Sequence, residues 1–141
     1  MPPRGGKGYA GGIMAEAPDP DLRERTFLYS VRAVRLYEYV CKEGKSASGV
    51  ILGEQFLRCA TSLGADMDEA QHAESRTEYV SKLEDAAKEA REGLYWLRLM
   101  KDTDTVPSKR IVPFEQDTRE IIAMLAARAS GSRRQTGIRK K

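Results

Sequence analysis

The chain has 141 residues, a formal net charge of +3 and few aromatic residues, and Ala, Leu, Glu, Lys and Arg dominate between its two ends. This length suits one domain, and this composition predicts an all-α fold. We expect a cytoplasmic protein in a reducing setting, because no apolar run is long enough for a membrane span, the N-terminus lacks a signal-peptide pattern, and two cysteines are too few for a disulfide framework.

Both ends of the chain are predicted to be disordered and to flank one folded domain at residues 21–129. Residues 1–20 are rich in Gly and Pro and show no periodicity. Residues 130–141 contain no acidic residue, and the body is left with a slight negative charge. This tail can bind phosphates in a salt-sensitive way, or it can act only as a solubilising end. Its basic residues are Arg133, Arg134, Arg139, Lys140 and Lys141.

The first helix is predicted over residues 21–43, with Gly44 as its C-cap. Apolar residues spaced by three or four positions fall on one side of this helix, and we interpret that side as its contribution to the core. The predicted core face contains Phe27, Val31, Val34, Tyr37 and Cys41.

A second apolar seam on the same helix lies well over 100° from the first. A four-helix bundle offers each member one inner face, so we expect the second seam to be buried against another subunit. The alternative is that these side chains are isolated apolar residues on the surface. The predicted oligomer interface consists of Leu22, Tyr29, Leu36 and Val40.

Basic residues lie between the two seams, with Tyr39 among them. Cations interleaved with tyrosines can bind phosphates and stack on unpaired bases. Solvated charge on a helix surface is the alternative interpretation. The candidate nucleic-acid-binding residues of this helix are Arg25, Arg32, Arg35 and Lys42.

The second helix is predicted over residues 49–72, with an apolar stripe that includes Cys59. Cysteine in such a stripe usually acts as a small hydrophobic side chain, and we interpret Cys41 in the same way. Gly64 in mid-helix indicates the close approach of a neighbouring helix. A polar edge of helix 2 is expected to hydrogen-bond to helix 3 or to a neighbouring subunit and so to fix the helix register. This polar edge consists of Gln55, Ser62, Asp66 and Glu69.

The third helix is predicted over residues 76–101, where Ser75 and Glu78 fit the capping box at its N-terminus. Small residues in its middle, among them Gly93, again permit tight contact between helices.

The fourth helix ends near Ala129 and begins at Ser108 or Pro113. We prefer Pro113, because proline suits the first position of a helix. Short connections favour antiparallel neighbours, so the four segments predict an antiparallel up-down-up-down four-helix bundle.

The single histidine, His72, lies three positions after Glu69. In di-iron four-helix bundles, two such Glu-x-x-His pairs and two further glutamates bind the metal together. One histidine cannot supply the second pair, so we predict no metal site, and a site shared between subunits is the alternative. No nucleophile–base pair, phosphate-binding glycine loop or Cys-x-x-Cys motif is evident. We therefore predict no cofactor, no catalytic residue and no enzymatic activity.

The stretch from "LRCATSLGADMDEAQHAES" to "EGLYWLRLM" resembles the four-helix-bundle family of 23S ribosomal RNA intervening-sequence proteins, also called S23. The resemblance covers about residues 25–130. Asp66 and Met67 depart from the family pattern, which usually has Asn and Ile there. An ionised Asp only accepts hydrogen bonds, whereas Asn also donates them. The matching positions are Gln55, Arg58, Ser62, Leu63, Ala65, Glu69, Ala70, Ala86, Ala87, Glu89, Glu92, Tyr95, Trp96 and Leu97.

This resemblance implies a bacterial protein that assembles as a ring of identical subunits, with a homopentamer expected. Nucleic-acid binding is the usual proposal for such proteins. We therefore favour a non-enzymatic oligomer that binds nucleic acid, preferably RNA, through helix 1 and the C-terminal tail. Related bundles are accessory proteins of reverse transcriptases in diversity-generating retroelements. A protein-interaction scaffold or accessory subunit for such an enzyme is the second hypothesis.

Overall fold

A computed structural model of the protein describes the backbone of residues 20–43 and 46–136 and the side chains of residues 22–43 and 46–131. This part of the chain forms four helices and no strand, which confirms the all-α prediction. None of these helices is long and apolar enough to cross a bilayer. The helices are α1 (Pro20–Glu43), α2 (Ala47–Ala70), α3 (Arg76–Asp102) and α4 (Ser108–Thr136).

The predicted boundaries are closest at the first three helices and poorest at α4. The fourth helix begins at Ser108, and Pro113 lies inside it, so our preference for Pro113 as the first helical residue was wrong. The helix also continues through Thr136, so the predicted start of a disordered tail at residue 130 was wrong. Residues 1–19 and 137–141, together with Gly44 and its predicted role as a C-cap, lie outside the described residues.

Side-chain caps determine where α2 and α3 begin. The Gly49 backbone N–H donates to Ser46 Oγ over 2.9 Å, which satisfies one of the free amides in the first turn of α2. At α3 the Glu78 N–H donates to Ser75 Oγ over 3.0 Å, as the capping-box prediction requires. The Glu78 carboxylate reaches back to the N–H of Glu74, at 3.1 Å, one residue before the cap.

Consecutive helices pack extensively on one another, whereas α1 and α4 contact each other much less. Between α1 and α2, Arg23 pairs with Asp68 and Ser30 hydrogen-bonds to the Ala60 carbonyl. Residue numbers thus rise on α1 as they fall on α2, which is the relation expected for antiparallel neighbours.

Gly64 lies where α1 and α2 approach most closely. A Cβ atom at this position would lie 2.5 Å from Ser30 Oγ and 3.3 Å from the Thr26 carbonyl oxygen. Such a short contact is incompatible with a side chain unless Ser30 moves. The close helix approach predicted from this glycine is therefore confirmed.

An aromatic cluster joins α1, α2 and α4 in the core. The rings of Tyr29, Phe56 and Phe114 make three edge-to-face contacts with centroid separations of 5.3–6.1 Å. This geometry places the positive edge of one ring against the negative face of the next. The Tyr29 hydroxyl is buried as well, and its hydrogen bond to Thr118 Oγ1 is 2.6 Å long.

The two apolar seams of α1 have the opposite roles from those predicted. All four residues of the predicted oligomer interface, Leu22, Tyr29, Leu36 and Val40, are at most 6% exposed and belong to the core of the single chain. The predicted core face is mostly outside the core: Phe27 is 60% exposed, Val34 is 37% exposed, Cys41 is exposed too, and Val31 and Tyr37 are half-buried. The inward seam contains Ala33, whose small side chain lets α1 pack closely, and the polar tip of Tyr29 has its partner in Thr118.

Candidate nucleic-acid interface

Arg25 and Arg32 on α1 are held by acidic residues of α4. Arg25 donates from Nε to Asp117 Oδ1 at 3.0 Å, forms a second contact with the same oxygen through Nη2, and donates to Glu120 Oε1 at 2.6 Å. Arg32 Nη1 donates to the other oxygen of Asp117 at 2.8 Å. Its guanidinium also lies over the Phe114 ring, 4.5 Å from the centroid.

The two arginines thus form ion pairs that connect α1 to α4. The side chain of Asp117 is only 16% exposed, so its carboxylate depends on these donors to replace water. Hydrogen bonds to Glu120 and Asp117 raise the pKa of Arg25 further. Two of the four predicted nucleic-acid-binding residues of α1 are therefore bridges between helices, and their charges are already paired.

The other two predicted residues, Arg35 and Lys42, flank Tyr39 on the solvent side of α1. The side chain of Arg35 is 71% exposed and makes one contact of 3.2 Å with Glu38 on the same helix. Lys42 is exposed. Spacings of four and three residues place both cations on the side of the helix that carries Tyr39.

Sequence reasoning missed a third cation at this position, which α4 supplies. The guanidinium of Arg110 lies 3.6 Å from the centroid of the Tyr39 ring. Arg110 is one of two consecutive basic residues just after the turn before α4, and only the return of α4 alongside α1 brings it to Tyr39. We call Arg35, Tyr39, Lys42 and Arg110 the Tyr39 cluster.

The basic tail residues are only partly within the structure. Arg133 and Arg134 lie in the last turns of α4, where the backbone alone is described. Arg139, Lys140 and Lys141 lie outside the described residues.

An exposed apolar surface lies on α1, beside the Tyr39 cluster. It consists of the exposed Phe27, Val34 and Cys41 together with the half-buried Val31, and we call it the outer α1 face. The side chains of Phe27 and Val34 are not buried within the single chain. Contiguous apolar surface of this kind commonly marks a protein–protein contact.

The predicted polar edge of α2 forms no hydrogen-bonded network within the part of the chain that the structure describes. Gln55, Ser62 and Asp66 are half-buried, and Glu69 is exposed. Burial, followed by the charge of Asp85 on α3, raises the pKa of the Asp66 carboxyl, and Lys82 partly offsets this. The polar edge of α2 therefore faces acidic residues of α3. Asparagine in place of Asp66 would be uncharged and would not be repelled by these carboxylates.

The Glu69–His72 pair does not form a metal site within the described residues. Both side chains are exposed at the C-terminal end of α2, and they are not part of a group of three converging ligands there. The two cysteines also differ. Cys59 is buried, as predicted for a small hydrophobic residue, whereas the same interpretation of Cys41 was wrong because Cys41 is exposed.

Comparison with known proteins agrees with this architecture. Residues 28–127 match the family model described as 23S rRNA-intervening sequence protein. A crystal structure of a protein of unknown function from the S23 ribosomal protein family of Bacteroides thetaiotaomicron is similar, with a TM-score of 0.72 and 32% sequence identity. The similarity covers 77% of this chain and 95% of that one. No curated protein matches the chain. The chain belongs to the 23S rRNA-intervening sequence protein family.

Proposed function

We propose that the protein is a non-enzymatic homo-oligomer of the bacterial cytoplasm that binds nucleic acid, with RNA favoured over DNA. The observation that carries the proposal is the Tyr39 cluster, in which Arg110 of α4 lies over the half-buried Tyr39 ring of α1 and two more cations, Arg35 and Lys42, are exposed on the same side of α1. The 23S rRNA in the name of the matching family supports the choice of RNA.

The Tyr39 cluster has the chemistry that single-stranded RNA requires. Exposed guanidinium and ammonium groups attract backbone phosphates, and a tyrosine or arginine plane offers a stacking surface to an unpaired base. Arg110 is already in position for this role, because its guanidinium lies over the Tyr39 ring and its side chain is exposed to solvent. Arg25 and Arg32 are omitted from the proposed surface, since a phosphate would have to displace Asp117 from each of them.

The C-terminal tail is proposed as a second contact for phosphates. Residues 130–141 carry five basic residues and no acidic one. One basic segment of this size contributes little affinity alone, but an oligomer presents one such segment per subunit and binds with avidity.

The outer α1 face is the surface we propose for self-association. It replaces the seam of Leu22, Tyr29, Leu36 and Val40, which the core of each subunit already uses. Burial of Phe27 and Val34 against a neighbouring subunit would remove apolar area from water, which stabilises an assembly by about 25 cal/mol per Å². A homopentamer is the assembly that the family resemblance implies.

Binding to a structured RNA with single-stranded loops, measured over a salt series, tests the nucleic-acid proposal. Charge reversal of the cluster by Arg35→Glu, Lys42→Glu and Arg110→Glu is expected to weaken binding at least tenfold and to flatten the salt dependence. The matched control is Arg98→Glu, an exposed arginine of α3 whose contact with Asp102 is 3.9 Å long. Equal losses in the cluster and control variants, or no binding at low salt, would contradict the proposal.

The outer α1 face also favours one competing function, docking to a protein such as a reverse transcriptase. An apolar helix face suits a protein partner better than it suits a phosphate backbone. Affinity capture from cells after nuclease treatment separates the two functions. Recovery of the enzyme without nucleic acid would support docking, whereas loss of all partners on nuclease treatment would support direct binding of RNA.

A further inference from the structure

A buried thiol and two carboxylates converge between α2 and α3. Cys59 Sγ and one carboxylate oxygen each from Glu89 and Glu92 all lie within 4.8 Å of one another. Glu89 and Glu92 are three residues apart and therefore share a face of α3. Gly93 lies at the same contact between the helices, where a Cβ atom would be 3.5 Å from Cys59 Cβ, an ordinary van der Waals distance.

The charges at this position are not balanced by the protein. Neither Glu89 nor Glu92 forms a salt bridge with any cation among the residues whose side chains are described. Burial and the charges of Glu92 and Glu89 raise the pKa of the Cys59 thiol to about 12, and Arg58 and Trp96 only partly offset this. Two carboxylates close to a buried thiol leave the position short of positive charge.

The indole of Trp96 provides a second, independent indication. Its Nε1–H is buried and lacks an acceptor at ordinary hydrogen-bond geometry among the described residues, although it lies close enough to the Cys59 sulfur to lower the pKa of that thiol. A neutral thiol is a weak acceptor, whereas a thiolate accepts well. The indole is thus placed to stabilise Cys59 once the thiol has lost its proton.

We propose that Cys59, Glu89 and Glu92 bind a divalent transition-metal ion of the zinc class. The Cys59 thiol releases its proton to solvent as sulfur bonds to the metal, so one proton leaves for each ion bound. The new positive charge then offsets both carboxylates, and the Trp96 N–H gains a thiolate acceptor. Sulfur as a ligand selects zinc or a similar ion over magnesium and calcium, which prefer oxygen.

The three ligand atoms must move slightly closer together to bind one metal ion. Tetrahedral bonds of about 2.3 Å to sulfur and about 2.0 Å to oxygen place the ligand atoms roughly 3.5 Å apart. Rotation of the exposed Glu92 side chain and of the half-buried Glu89 can supply this closure. Because Glu92 lies at the surface, the ion has an open path to the site, and water can occupy its fourth position.

Cobalt titration of the full-length protein after treatment with a chelator tests this site. Binding is expected to produce a thiolate-to-cobalt charge-transfer band in the near ultraviolet, which carboxylates alone cannot give, and one equivalent of zinc is expected to remove it. Cys59→Ser should abolish the band. Cys41→Ser is the matched control and should leave it unchanged, since Cys41 is the other, exposed cysteine. A missing band, or one that depends on Cys41, would overturn the proposal.

Two further variants separate this site from the Glu69–His72 pair. Glu92→Gln should weaken cobalt binding at least tenfold, and circular dichroism should show unchanged helix content because Glu92 is exposed. His72→Ala should leave the affinity unchanged. The apparent affinity should also rise about tenfold per pH unit, because the thiol must lose a proton. Affinity that follows His72, or that does not change with pH, would overturn the assignment.

Discussion

Tyr29 of α1 and Thr118 of α4 share a hydrogen bond of 2.6 Å between their hydroxyl oxygens, within the core of the bundle. Thr118 donates its single hydroxyl proton to the Phe114 carbonyl at 2.6 Å, so it accepts the hydrogen bond from the Tyr29 hydroxyl. Burial raises the pKa of Tyr29 far above its ordinary value, which keeps the phenol protonated as a donor. This contact gives the phenol hydroxyl of the inward seam of α1 a buried partner.

Tyr29→Phe removes the donor and leaves Thr118 bonded to the Phe114 carbonyl. We expect a loss of about 1 kcal/mol in the free energy of unfolding, the usual net contribution of such a hydrogen bond. Denaturation by urea measures the change. Tyr95→Phe is the control, because the Tyr95 side chain is exposed and its removal should have no effect. An equal loss in both variants would show that the buried contact contributes nothing.

Gly64→Ala tests the close approach of α1 and α2. Alanine is the better helix former by about 1 kcal/mol, but its Cβ would displace Ser30 Oγ from the Ala60 carbonyl, to which it donates over 2.8 Å. Lost hydrogen bonding and overpacking outweigh the gain, so we expect a net destabilisation of about 1–2 kcal/mol.

Two controls accompany this substitution. Gly131→Ala lies in open space on α4 and should be neutral or slightly stabilising. Combining Gly64→Ala with Ser30→Ala removes the clashing oxygen and should recover part of the stability. If Gly64→Ala proves as favourable as Gly131→Ala, the helices are not as close as described.

Asp66→Asn tests the charge at the polar edge. The pKa of Asp66 is raised in the folded state, so folding favours its protonated form, and its contribution to stability falls as pH rises above the unfolded value near 4. The amide should therefore be more stable than the wild type at pH 7, and this advantage should disappear as pH falls below about 4.

Thermal unfolding between pH 3 and pH 7 measures this effect. Asp68→Asn is the matched control on the same helix, because Asp68 pairs with Arg23 at 2.7 Å and gains nothing from losing its charge. A stability gain for Asp66→Asn that is the same at every pH would show that packing, rather than charge, is responsible.

Phe27→Asp tests the outer α1 face as the proposed contact between subunits. The residue is 60% exposed, so we expect the subunit to stay folded while the assembly dissociates towards monomers. Mass measurement in solution, with helix content as the test of folding, reports the outcome. Ile51→Asp is the control, since Ile51 is 58% exposed on α2 and outside this face. A wild-type monomer, or an assembly unchanged by Phe27→Asp, would contradict the proposal.

The helices could be predicted from the sequence because periodicity and caps are local signals. Ser75 and Glu78 determine the start of α3 through contacts between near neighbours, and Gly64 marks close packing wherever its helix lies. The inward side of α1 is different, because two seams of similar apolarity compete. The inward seam also has to place the Tyr29 hydroxyl against a partner, and that partner, Thr118, is 89 residues away in the sequence.

The candidate site was harder to predict for the same reason. Arg25 and Arg32 have the spacing of a basic stripe, but their charges are paired once α4 returns with Asp117. Arg110 joins Tyr39 only through that same return. Spacing within one helix identifies residues that share a side, whereas pairing across helices decides which of them keep an available charge.

The bridge between Arg25, Arg32 and Asp117 also bears on how the bundle opens. Apart from the buried contacts of Tyr29 with Phe114 and Thr118, α1 is joined to α4 by long polar side chains, whereas α1 and α2 approach each other closely at Gly64. Dissolved ions weaken the first kind of attachment and leave the second nearly untouched. Breathing motions of the bundle should therefore begin by parting α1 from α4, and backbone amides along that boundary should exchange with deuterium sooner as ionic strength increases.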